Sequence, residues 1–156
     1  YKEEQIKIFK QQLVLAKEHN LPVVIHARDA TNETYEILKD SGVVGVMHCY
    51  SGSFEMAERF IKLGFYLGIG GVVTFKNSNL KDVVKKINLD YLLSETDAPY
   101  LTPVPFRGKT NYPKYTEIIV KEIAKIKELD FEFVKQKLKA NAYKLFNMKE
   151  ENIWKD

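Results

Sequence analysis

Apolar and polar positions along the chain alternate between two periods. Residues 2–20 place Ile6, Phe9, Leu13 and Ala16 at near-helical spacing with charged residues between them, which predicts an amphipathic helix. Pro22-Val23-Val24-Ile25-His26 then reads as a short apolar strand. A second helix follows with Tyr35, Ile37 and Leu38 on its apolar side, closed by Ser41-Gly42, where glycine takes the left-handed cap conformation. The cycle repeats with a strand over residues 43–48 and a loop, Cys49-Tyr50-Ser51-Gly52-Ser53. Ser53 is placed to cap a helix carrying Ala57, Phe60 and Ile61, which Gly64 stops. Phe65-Tyr66-Leu67-Gly68-Ile69 is a third strand, and Gly70-Gly71 after it marks a point where a ligand or another backbone comes close. A helix over residues 80–87 leads into the apolar run of residues 89–93, read as the fourth strand, which ends in Ser94-Glu95-Thr96-Asp97-Ala98-Pro99-Tyr100.

Strands recurring every ~20–25 residues with helices between them imply parallel βα units and an α/β fold. Residues 99–112 contain Pro103, Pro105 and Gly108 and form a loop long enough to carry function. Asn111 is placed to cap a helix with Pro113 in its first turn and Ile118, Ile119, Ile123 and Ala124 on its apolar side. Asp130 is placed to cap a last helix carrying Phe133, Val134, Leu138 and Leu145, so that two helices close one side of the sheet. The chain opens on a helix with no strand before it. A barrel unit that starts half-way through leads us to expect an upstream portion outside this sequence.

The 156 residues fit one domain, and 45% hydrophobic residues supply a core. A formal charge of +3 is too small to establish a nucleic-acid partner, while a pI near 8.8 leaves an anionic substrate open. The single cysteine excludes an internal disulfide and favours a reducing cytoplasm. No segment reads as a signal peptide or as an apolar run long enough to span a membrane.

The chemistry gathers at strand ends. His26, His48 and Asp97 each end or follow an apolar strand, and the carboxyl ends of parallel strands are where α/β barrels carry their chemistry. Imidazole with carboxylate is a common ligand set for zinc and other divalent ions. A strand-end histidine taken singly is more often a hydrogen-bonded structural residue; three such ends on one sheet edge make a shared metal site the better reading. Glu95, two residues before Asp97, points to the same side. It either orients a ligand histidine or is a buried acid paired with lysine or arginine. Arg28, Arg107 and Lys109 lie just past strand ends, either to meet a substrate phosphate or as solvated surface charges. Tyr50, Ser51 and Asn111 can add neutral hydrogen bonds there, though turn and cap roles serve Ser51 and Asn111 as well. Strand alternation turns Cys49 away from the cavity into packing, and His19 sits at a helix end where the dipole favours it. The tyrosines and phenylalanines fall mostly at core spacing and Trp154 lies in the tail, which gives no stacking platform for single-stranded bases.

Taken in order, Pro22-Val23-Val24-Ile25-His26-Ala27-Arg28-Asp29-Ala30, Met47-His48-Cys49-Tyr50-Ser51-Gly52-Ser53 and Glu95-Thr96-Asp97-Ala98-Pro99-Tyr100-Leu101 resemble the TatD-type metal-dependent deoxyribonucleases. Arg107-Gly108-Lys109-Thr110-Asn111 and Asn141-Ala142-Tyr143-Lys144-Leu145-Phe146 resemble that family's closing motifs. The resemblance implies an amidohydrolase-like (β/α)8 barrel that cleaves phosphodiester bonds of DNA with a pair of divalent ions (magnesium, manganese or zinc). It also implies that His26 and His48 hold one ion, while Asp97 binds the other and helps take the proton from the attacking water.

The chain departs from that pattern in lacking the family's His-x-His pair and its bridging glutamate. A complete barrel needs roughly 250 residues. The expectation is therefore the second half of a TIM-like barrel with two extra carboxyl-terminal helices, weak or inactive alone. Its exposed half-barrel edges favour a homo-oligomer. The rival readings are hydrolysis of a lactone or phosphotriester at the same site, and a non-catalytic remnant that binds nucleic acid or protein.

Overall fold

The computed structural model describes residues 1–149. Helix α1 (Lys2–Glu18) leads into strand β1 (Val23–Ile25), followed by α2 (Thr31–Leu38), β2 (Gly45–Met47), α3 (Phe54–Lys62), β3 (Phe65–Ile69), α4 (Leu80–Lys86) and β4 (Leu92–Ser94). Helices α5 (Thr116–Lys127) and α6 (Phe131–Phe146) complete the described chain. The four strands form one parallel sheet in the order β1-β2-β3-β4. Each step to the next strand crosses over through a helix, as parallel pairing requires.

The punctuation expected from sequence is where the helices begin and end. Gly42 and Gly64 have φ of +68° and +90°, conformations that cost glycine nothing. Ser53 and Asp130 cap α3 and α6, their side chains accepting hydrogen bonds from the Met56 and Phe133 N–H groups. Two expectations need correction. Residues 89–93 are not one strand: Leu89–Tyr91 is a 3-10 turn, capped by Asn88, whose Oδ1 accepts from the Asp90 N–H at 2.9 Å, and the strand starts only at Leu92. Asn111 caps no helix; the chain enters a 3-10 turn (Pro113–Tyr115) at Tyr112 without a side-chain cap and only then α5.

Register gives the sheet two unlike faces. Ile25, Met47, Leu67 and Leu92 lie in line across the strands, and with Ile69 they join the main core with Leu38, Phe60, Val84, Ile119, Ile123 and Val134 from the helices. Phe60, Leu67, Ile69, Leu92, Ile119 and Ile123 are fully buried, and each such side chain contributes about 1.5–3 kcal/mol of hydrophobic stabilisation. The other face carries Val46, Tyr66 and Leu93, covered by Ala142 and Leu145 of α6, while Val24 on β1 stays 59% exposed. Helix α6 is further pinned to β4 by Asn141. Its buried Nδ2 donates to the Leu89 and Leu92 carbonyls at 2.8 and 2.9 Å. The alternation that puts Val24, Val46 and Leu93 on this second face continues past the strands to His26, His48 and Glu95.

Candidate metal centre

His48 is the first residue after β2 and is anchored by its N–H donating to the Ile25 carbonyl at 2.8 Å. Its ring is held at both nitrogens: Nδ1 lies 2.7 Å from Glu95 Oε2 and Nε2 lies 3.3 Å from Asp97 Oδ1. Glu95 follows β4 directly, its N–H donating to the Ile69 carbonyl at 3.0 Å. Its second oxygen accepts from the Cys49 N–H. The carboxylate fits because Gly68 lies opposite. A Cβ there would stand 2.1 Å from Glu95 Oε1, so any side chain on that residue of β3 would expel Glu95.

The electrostatics follow from this arrangement. Burial pulls the His48 pKa down, but the hydrogen bonds and charges of Glu95 and then Asp97 outweigh it and raise it above the ordinary value. A carboxylate offers only acceptors, so Glu95 fixes the proton of a neutral His48 on Nδ1 and leaves a lone pair on Nε2. That lone pair faces a carboxylate oxygen of Asp97. Two electron-rich atoms 3.3 Å apart are stable only with a cation between them, either a proton or a metal ion. Donors at the ~2.0–2.1 Å bond length of zinc sites stand ~3.3–3.4 Å apart along a tetrahedral edge, so this pair fits a metal ion. Glu95 takes the place that an outer carboxylate takes behind a ligand histidine.

Cys49 was expected to point away, and it does not. The strand ends at Met47, and Cys49 has φ +46°, so alternation no longer applies. Its Sγ lies within 4.8 Å of ligand atoms of both His48 and Asp97, the one such His/Cys/acid cluster among the described residues. Burial first, then the Glu95 and Asp97 charges, push its thiol up to about 12. In the metal-free site it is therefore a protonated thiol, closely packed on Gly70, where an added Cβ would lie 3.2 Å from the sulfur.

The other expected residues fall around this centre unequally. His26 is exposed, its ring centroid 6.0 Å from that of His48; two imidazoles on one ion with ~2.0–2.1 Å bonds have centroids roughly 5–6 Å apart. With Arg28 it lines an open groove of about 410 Å³ between α1 and α2. Arg107 lies over the Phe75 ring at 4.2 Å, and Lys109 is exposed on the same loop. Asn111 is 2% exposed and its amide is engaged within the loop, Nδ2 donating to the Tyr100 carbonyl at 2.6 Å and Oδ1 accepting from the Tyr112 N–H at 2.9 Å. It shapes the loop and does not face solvent. Tyr50 is likewise buried, its hydroxyl donating to the Ser53 carbonyl at 2.5 Å. Gly71 makes the close approach expected of it: a Cβ there would lie 2.1 Å from the Leu101 carbonyl oxygen. Trp154 lies outside the described residues.

A parallel α/β sheet that presents an oriented histidine and a carboxylate at its carboxyl edge places this chain among α/β proteins with a metal-type site. The chain belongs to the TatD related DNase family, which it matches over residues 1–147. It is 49% identical over 151 residues to the uncharacterized metal-dependent hydrolase YabD of Bacillus subtilis, spanning 94% of this chain and 59% of YabD. It is 42% identical over 147 residues to the uncharacterized metal-dependent hydrolase MJ1582 of Methanocaldococcus jannaschii, spanning 94% of this chain and 57% of that protein. The crystal structure of YJJV, a TatD homolog from Escherichia coli, superposes with a TM-score of 0.89 at 34% identity, covering 94% of this chain and 58% of YJJV. The chain thus spans under two thirds of the length of each of these relatives.

Proposed function

We propose that this chain forms the carboxyl-terminal half of a TIM-like (β/α)8 metal-dependent hydrolase, and that the reaction is hydrolysis of phosphodiester bonds in DNA. The reading rests on the His48 Nε2 lone pair held by Glu95 against the Asp97 carboxylate, an arrangement that calls for a cation. Family membership and the basic loop around Arg107 and Lys109 support it.

A divalent ion bound there supplies Lewis acidity and lowers the pKa of water. His48 and Asp97 would hold it between them, where the resemblance divides the two residues between a pair of ions, with His26 in reach from the neighbouring strand, and Glu95 keeps the Nδ1 proton in place. The second oxygen of Asp97 takes a proton from the attacking water as the water oxygen bonds to phosphorus. That proton passes to the leaving alkoxide as its bond to phosphorus breaks. Arg28, Arg107 and Lys109 hold phosphate oxygens of the strand, guanidinium in a two-point contact and ammonium as a point charge. The buried Asn111 amide keeps the Arg107 loop in shape for that contact.

The test is hydrolysis of single-stranded DNA, a phosphotriester and a lactone with manganese or magnesium. It compares the chain with a version extended by the part of YabD that it does not cover. We expect DNA hydrolysis by the extended protein, lost with chelator and in His48→Ala, and much slower hydrolysis by the chain alone. Preferential turnover of the lactone or the triester would overturn the substrate, and full activity of the chain alone would overturn the half-barrel. Binding of DNA indifferent to chelator and to His26→Ala, without cleavage by either form, would leave a non-catalytic binding module.

The same reading includes self-association. β1 and β4 are the edges of the sheet, and Val24 is exposed beside the β1 edge. Light scattering at high concentration is expected to give a dimer, and a monomer would count against it. No helix among the described residues is long and apolar enough to cross a membrane, and the lone cysteine favours a cytoplasmic setting.

A further inference from the structure

The ligand set implied for this centre is imidazole and carboxylate alone, and it leaves a sulfur unused. Cys49 is the one cysteine of the sequence. Its Sγ, a ring nitrogen of His48 and a carboxylate oxygen of Asp97 all lie within 4.8 Å of one another. The fold fixes the sulfur there. On one side the His48 N–H donates to the Ile25 carbonyl at 2.8 Å, and on the other the Tyr50 N–H donates to the Gly68 carbonyl at 2.9 Å, so Cys49 stands between anchors on β1 and β3. Its own N–H donates to Glu95, whose other oxygen holds Nδ1 of His48. One carboxylate thus orients the imidazole and the backbone of the cysteine together. Gly70 gives the sulfur its room, since a Cβ there would lie 3.2 Å from Sγ.

Geometry and chemistry both suit one ion. Zinc bonds of ~2.3 Å to thiolate and ~2.0–2.1 Å to imidazole place the sulfur and nitrogen about 3.5 Å apart along a tetrahedral edge. That separation falls inside the 4.8 Å that encloses the three donors. Without an ion, burial and then the Glu95 and Asp97 charges keep the thiol protonated. A divalent ion between His48 and Asp97 reverses the local charge, and a coordinated thiol gives up its proton. Thiolate is a soft donor that favours zinc and its heavier congener cadmium, whereas carboxylate and water suit magnesium and manganese.

We infer that Cys49 is a third ligand of the ion held by His48 and Asp97, and that it makes the centre select a thiophilic divalent ion of the zinc class over manganese or magnesium. On binding, the S–H bond breaks, a sulfur–metal bond forms and the proton passes to solvent. The thiol ligand presupposes the ion placed between His48 and Asp97 above, and it does not depend on which bond is hydrolysed. Three protein donors are the number that catalytic zinc sites use, leaving one position for water or for His26.

The probe is cadmium, whose bond to thiolate gives an ultraviolet charge-transfer band. With one cysteine in the chain, the band reports Cys49 and nothing else. Addition of cadmium to the metal-free protein is expected to raise the band until each chain holds one ion, and His48→Ala to lower the affinity read from it. Cys49→Ser exchanges sulfur for oxygen at similar volume. It should remove the band and weaken cadmium binding in calorimetry more than ~100-fold, above the cost of losing an outer partner of a ligand. Manganese, which has little preference for sulfur, should change less than about threefold. Absence of the band in the unaltered protein, a readout needing no variant, would overturn the thiol ligand. So would a band that His48→Ala leaves at full affinity, because the sulfur would then bind outside the pair, or an equal loss of both ions in Cys49→Ser, the mark of a packing role. Cadmium and manganese bound without the band would remove the thiol alone and leave the His48–Asp97 centre standing. Binding of neither ion would overturn that centre, and the thiol ligand with it.

Discussion

The two ends of the sheet are built by different rules. At the end where chains enter the strands, the turns that follow α1, α2 and α3 are made by residues suited to them, while Glu128 ends α5 at φ +55°. Asn20, Gly42 and Gly64 take the positive φ values that stop α1, α2 and α3, and asparagine and glycine adopt that conformation at little cost. Helix α6 then locks this end through Asn141 on the Leu89 and Leu92 carbonyls and Leu145 against Val46 and Leu93. At the end where chains leave the strands, the positive φ values belong to Asp29, Cys49 and Leu101, and to Gly108 farther along the loop beyond β4. A cysteine and a leucine there are unfavourable by about 1–2 kcal/mol each. Cys49 turns its N–H onto Glu95 and its sulfur toward the metal-type pair, and Leu101 brings its carbonyl against Gly71. One end is arranged for stability. The other holds unfavourable backbone where the chemistry is.

That contrast can be broken at either end. The largest effect is expected at the first: Asn141→Ala removes the donor to two carbonyls in a buried setting and leaves a void, costing about 2–4 kcal/mol in urea denaturation. Manganese affinity by calorimetry should stay within about twofold. A stable variant, or a large loss of affinity, would mean the ends are not separable. The converse is Glu95→Gln. Either its amide nitrogen faces Nδ1 of His48 and drives the proton to Nε2, abolishing the lone pair, or it faces the Cys49 N–H, donor against donor. Metal affinity should fall ~10- to 100-fold, with a smaller change in the urea midpoint. Unchanged affinity would remove Glu95 from the site.

How much of this was legible in the sequence follows from the same contrast. Gly42, Gly64, Ser53 and Asp130 announced their turns because glycine and short polar side chains have local reasons to be there. The positions of His26, His48 and Asp97 were legible because an apolar strand ending in a ligand-type residue is a local pattern. Glu95 was open between two partners, and the structure gives it neither lysine nor arginine but His48, a choice fixed by the space above Gly68. The Leu89–Tyr91 turn was hidden because Leu89 is buried whether strand or turn, so hydropathy could not separate them. Cys49 and Asn111 were misplaced because their roles depend on a left-handed backbone and on a loop folding back over residues 97–112, neither of which has a periodic signature.

The smallest expected effect sharpens the comparison through pH. In metal-free protein the raised pKa of His48 means the folded state holds its proton more tightly than the unfolded chain. Its contribution to stability is therefore fully present below the unfolded value of ~6.5 and fades as pH rises through the higher folded value. Metal binding runs the other way, because the ion needs the Nε2 lone pair and competes with the proton. From pH 6 to 8.5, the thermal midpoint of the chelated protein should therefore fall relative to His48→Gln by a few degrees at most, while manganese affinity rises over the same interval. Two measurements on one imidazole with opposite slopes would locate the proton and the ion on the same atom. Parallel slopes, or a midpoint difference that grows with pH, would place the metal somewhere other than between His48 and Asp97.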